Sequence, residues 1–126
     1  MSHAALEFAI KEICGGGRFD DLARLIGDDE IVALEGDPGW SLERRGPQDS
    51  WPAGAEFRAF VDPEEFQLPE PENFYSRTEF ADRVLSLLNE RFAVSHEMLV
   101  EARRARTALR AELAPLFESL MRLGEG

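Results

Sequence analysis

The chain has 126 residues, with 14 lysines and arginines against 25 aspartates and glutamates, for a formal net charge of −11 at pH 7. That balance argues against free nucleic acid or an anionic membrane as the main partner, since both are repelled by it. With 44% apolar residues the chain has the material for a core, which excludes wholesale disorder, and its length fits one domain over residues 1–126.

The longest unbroken apolar run is four residues, Ile31 to Leu34, against the roughly 18 that a membrane-spanning helix requires. The first residues, Met1 to Glu7, place no basic region ahead of an apolar stretch, so no secretory signal is expected. One cysteine, Cys14, allows no internal disulfide and suits a reducing, cytoplasmic setting.

In chain order, Leu6, Ala9, Ile10 and Ile13 recur at helical spacing over 4–14, and Gly15-Gly16-Gly17 predicts the stop. Asp20 or Asp21 is placed to cap a short second helix through Leu22, Leu25 and Ile26, closed by Gly27. Ile31 to Glu35 reads as a strand, Gly36-Asp37-Pro38-Gly39 as a turn, and Trp40 to Glu43 as a half-buried return strand. Residues 45–55 hold too many breakers for regular structure and are expected to form a loop displaying Trp51. Glu56 to Asp62 predicts a third strand. Asp62-Pro63-Glu64-Glu65 then suggests one helical turn, and Gln67 to Asn73 an extended acidic connection.

The second half reads as helical. Ser76-Arg77-Thr78-Glu79 is a capping box, with Tyr75 and Phe80 at the spacing of a hydrophobic staple. Phe80, Val84, Leu87, Leu88 and Phe92 form the apolar face of the helix that follows. A last helix begins near Ser95 and carries Leu99, Leu109, Leu113, Leu116, Leu120 and Leu123 in a heptad-like seam. Residues 109–123 are expected to pack on the helix of 77–92 with a bend near Pro115; otherwise the 99–123 seam would pair two chains as a homodimer. The fold expected is α+β: two N-terminal helices, a small antiparallel sheet of about three strands and two longer C-terminal helices.

Charge is distributed unevenly. Residues 19–72 carry fifteen acids against four arginines, whereas the segments before and after are each neutral, so the middle of the chain holds the entire net charge. Such focusing costs stability through self-repulsion but steers cationic partners. Asp28, Asp29, Glu30, Asp49, Glu64 and Glu65 fall in expected turns and element ends, where acids can reach into a cleft. Trp51 in the breaker-rich loop supplies an apolar anchor beside them. Trp40 is open to either role, anchor or core.

No catalytic constellation is legible. His3 and His96 lack histidine or cysteine partners at metal-ligand spacing, and Asp28-Asp29-Glu30 lacks the glycine-turn spacing of a calcium loop, so no metal or cofactor is expected. Gly15-Gly16-Gly17-Arg18 follows a helix and lacks the Lys-Ser/Thr of a phosphate loop. Arg103, Arg106 and Arg110 share a helical face, but neighbouring glutamates favour ion pairing over nucleic-acid binding.

With its acidic Pro/Glu loop followed by the well-capped stretch from Asn73 to Phe92 (NFYSRTEFADRVLSLLNERF), the chain resembles, at the level of class, the small acidic immunity proteins that bacteria encode beside toxins. The resemblance implies a non-enzymatic inhibitor that presents carboxylates to the basic cleft of a cationic toxin, commonly a nuclease. Two other classes stay open from the residues: an acidic homodimeric adaptor or secretion chaperone, and a small enzyme whose site is not legible.

Overall fold

The computed structural model describes residues 3–27, 31–36, 39–47, 49–68, 70–92 and 114–125. Its elements are α1 (Ala4–Gly16), α2 (Phe19–Gly27), β1 (Ala33–Gly36), β2 (Trp40–Arg44), β3 (Phe57–Val61), β4 (Glu72–Tyr75), α3 (Arg77–Phe92) and α4 (Ala114–Glu125). The class is α+β, as the patterning predicts.

The three glycines after α1 do not all lie outside it. The helix continues through Gly15 and Gly16 and stops at Gly17, whose φ of 67° is left-handed. The N–H of Arg18 closes the end on the Ile13 carbonyl at 3.0 Å, the bonding that a glycine in this conformation makes possible. Asp20 and Asp21 do not cap α2. They lie in its first turn, where negative charge suits the helix dipole.

The sheet is an antiparallel meander of four strands in sequence order, β1-β2-β3-β4. The fourth strand lies at the end of the stretch read as a connection. Pro71 stands just before it and contributes a carbonyl, which accepts from the Val61 N–H at 2.8 Å. Pairing therefore begins without the N–H that proline lacks.

The register sorts side chains onto two faces. Leu34, Leu42, Ala59 and Asn73 form one row across the strands, flanked by Trp40 with Val61 and by Phe57 with Tyr75. All eight are buried, and this face packs against the helices. Phe57 and Phe80 stack at 4.1 Å between ring centroids and join β3 to α3 at the centre of the core. Such a pair adds about 0.5–1.5 kcal/mol beyond its area burial.

The start of α3 follows its sequence signal closely. The Glu79 N–H donates to Ser76 Oγ at 3.2 Å, the Ser76 N–H donates to Glu79 Oε1 at 3.3 Å, and the Tyr75 and Phe80 rings meet edge-on. Val84 and Leu88 continue the buried face and Leu87 is half-buried. The Phe92 side chain lies outside the described residues.

α4 packs between α2 and α3. A Cβ on Gly27 would lie 3.3 Å from Ser119 Oγ, and one on Gly124 would lie 3.6 Å from the Ala81 Cβ. Leu116, Leu120 and Leu123 are buried there, so these three leucines of the seam pack within the chain, against α3 as expected and also against α2. Pro115 stands in the first turn, where its missing N–H leaves no intrahelical bond unmade. Leu99, Leu109 and Leu113 lie outside the described residues.

Candidate partner-binding face

Those of the residues singled out in the sequence that the structure describes lie in two places. Asp28, Asp29 and Glu30 lie outside the described residues. Asp49 is exposed, and its Oδ2 accepts from the Gly46 N–H at 2.7 Å, which closes a turn in the β2–β3 loop. Trp51, in the same loop, is half-buried rather than displayed: its ring meets Phe74 edge-on at 5.6 Å. Glu64 and Glu65 are exposed in the turn after β3. There Asp62 Oδ1 accepts from the Glu64 N–H, and the Asp62 carbonyl accepts from the N–H groups of Glu65 and Phe66.

This turn abuts Gly39 at the start of β2, while the loop of Asp49 and Trp51 joins the opposite ends of β2 and β3. Glu64 and Glu65 therefore sit one strand length away from Asp49 and Trp51, and the acids do not form one tight cluster. Trp40 is core. It is 4% exposed, with the Arg18 guanidinium 5.8 Å from its ring centroid.

Between these two ends lies the face of the sheet turned away from the described helices. Its side chains form two rows across the four strands: Ala33, Glu43, Arg58 and Phe74, then Glu35, Ser41, Phe60 and Glu72. Arg58, on a central strand, donates from Nη1 to Glu43 Oε2 and from Nε to Glu72 Oε2, the latter at 2.6 Å. Its guanidinium also lies 4.6 Å from the centroid of the Phe60 ring, within cation–π range. Partial burial by itself disfavours the Arg58 charge, but the two carboxylates outweigh it and hold its pKa above the ordinary value.

Trp51 covers Phe74 at the β4 edge of the same surface. The face thus combines three half-buried aromatic rings with three glutamates and one arginine. Phe60 and Phe74 are large apolar residues at outward register positions, where a solvated sheet usually carries polar ones.

Sequence reading missed Glu35, Glu43, Arg58, Phe60, Glu72 and Phe74 as a group. Alternation within β2 and β3 marks their outward positions, but only cross-strand register brings Glu43, Arg58 and Glu72 together.

The helical side offers shallow depressions of mixed charge. One of them, about 630 Å³ between α2 and α4, is lined by Asp20, Asp21, Arg24, Ser119 and Arg122 among others. Among the described residues, no group of three or more histidines, cysteines or acids is arranged to hold a metal ion. No helix among them is long and apolar enough to cross a membrane. Comparison with protein-family models, curated proteins and solved structures finds no match to this chain.

Proposed function

We propose that this protein is an immunity-type inhibitor, which binds and neutralises a cationic protein toxin, a nuclease, in the cytoplasm. The observation that carries the reading is the coincidence of charge with architecture. The segment 19–72, which holds the whole net charge of −11, also supplies α2, β1, β2, β3 and the first residue of β4. The charge-neutral segments supply α1, α3 and α4.

The acidic segment builds β1 to β3 and their loops and, of the helices, only α2, so its field is weighted toward the sheet, which speeds capture of a basic surface and repels phosphates. Inhibition then needs no chemistry from this chain: carboxylates occupy a basic cleft and exclude the nucleic-acid substrate. The loop and turn acids Asp49, Glu64 and Glu65 are exposed, as such a contact requires.

The test is affinity purification of the tagged protein from its native host, followed by an activity assay on what co-purifies. A basic protein whose nuclease activity is abolished at equimolar ratio supports the reading. Recovery of a self-dimer alone, or of a partner with an acidic surface, overturns it.

A further inference from the structure

We infer that the open face of the β1–β4 sheet is where the cationic partner docks, with Trp51 and Phe74 as its apolar anchor and Glu43 and Glu72 as its fixed charge acceptors. This deepens the reading above and rests on it.

Three features point to this face rather than to the helical side. First, the four described helices lie on the other face of the sheet, while on this face Trp51 meets Phe74 and Arg58 lies against Phe60, with all three aromatic side chains half-buried. Aromatic residues and arginine are the side chains enriched at the centre of binding surfaces.

Second, the carboxylates are held in place. Arg58 takes only Oε2 of Glu43 and Oε2 of Glu72, so Oε1 of each stays an acceptor for an incoming arginine or lysine. Because the clamp is already formed, little side-chain freedom is lost on binding. With Glu35, the face carries three negative charges against one positive, and that complement is a cationic protein surface.

Third, size explains why the acids at both strand ends belong to the contact. Four strands about 4.8 Å apart and about 3.3 Å per residue give a planar patch on the order of 200 Å². A stable interface takes about 800 Å² from each partner. The loop with Asp49 and Trp51 at one end, and the turn with Glu64 and Glu65 at the other, extend the patch along the strands. Their acids form a rim that sets the on-rate, while the aromatic centre sets the off-rate.

A synthetic peptide alternating arginine with leucine serves as the probe, titrated against the full chain while backbone amide shifts and tryptophan fluorescence are followed. Shifts should concentrate on residues 33–36, 40–44, 57–61 and 72–75 and on Trp51. The paired W51A and F74A substitutions should weaken the peptide at least tenfold, and E43Q with E72Q should do likewise. D20N with D21N on α2 changes charge equally and should leave affinity within about twofold. Retained urea midpoints show that each variant is folded, and fluorescence of the parent reads the face directly should a variant unfold.

Shifts confined to the α2–α4 cleft, or equal loss from the α2 variants, would overturn the docking face while leaving a cationic partner in place. A peptide with glutamate in place of arginine binding as well, or a single-stranded oligonucleotide binding better, would overturn the charge complementarity. No interaction with the arginine peptide even at low salt would count against the cationic-partner reading itself.

Discussion

Gly36 faces Trp40 across the β1–β2 pair so closely that a Cβ on Gly36 would lie 2.5 Å from the indole Nε1. No real side chain tolerates that distance, and the indole is a rigid ring at 4% exposure. Gly36→Ala should therefore displace Trp40 and cost about 1–3 kcal/mol, as overpacking does. Urea unfolding measures the cost. A red-shifted Trp40 emission in the W51F background isolates the displaced ring, because the chain has two tryptophans.

Arg44 lies at the core-facing end of β2 and donates from Nη1 to the carbonyls of Leu25 and Ile26, at 3.0 and 2.9 Å. These are among the last carbonyls of α2, which lack intrahelical partners. The same guanidinium lies 5.7 Å from the centroid of the Phe57 ring. Arg44→Met keeps most of the stem but removes the donors, and should destabilise by about 1–3 kcal/mol. Faster amide exchange in α2 than in α3 would locate the loss; uniform exchange would refute the assignment to this contact.

Tyr75 is the one tyrosine of the chain. It is 2% exposed, and His3 Nδ1 lies 2.8 Å from its hydroxyl. Burial pushes its pKa well above the ordinary value of 10.0. The native state therefore keeps the phenol proton after the unfolded chain has released it. Stability from this site is fully present below pH 10 and declines above it, by at most about 1.4 kcal/mol per pH unit. Urea midpoints measured across that range should show the decline, and Tyr75→Phe should remove Tyr75's share of it. Near-ultraviolet absorbance should register phenolate only as the chain unfolds.

Leu120 is fully buried in the α2–α3–α4 contact. Leu120→Ala should cost about 2–5 kcal/mol. Light scattering should find the same mass for variant and parent, since this leucine serves the interior of one chain. A parent dimer dissociated by the substitution would instead assign the residue to a subunit interface.

Where a structural signal is local, the sequence carries it. The capping box at Ser76 and Glu79 needs only four consecutive residues, and α1 is legible because Leu6, Ala9, Ile10 and Ile13 repeat within one helix. β4 was hidden by the prolines and acids before it, and by Asn73, a polar residue at a core-facing register position. The docking surface is less legible still. Trp51 is identifiable as a loop aromatic, but its contact is Phe74 on the far edge strand. Arg58 meets Glu43 and Glu72 only once two strand pairings have set their register. Charge asymmetry singles out residues 19–72 without saying which face of the sheet carries the charge.

The position of α4 also bears on the order of assembly. Each strand of the sheet pairs with its neighbour in sequence, so β1 to β4 can close by short hairpins and connections. α4 instead returns across on the order of 90 residues to reach α2, and closing so long a loop is entropically late. Until α4 docks, the apolar sides of α2 and α3 that receive Leu116, Leu120 and Leu123 lack that cover. The docking of α4 thus acts as a clasp, and the partly assembled chain is at greatest risk of aggregation before it closes.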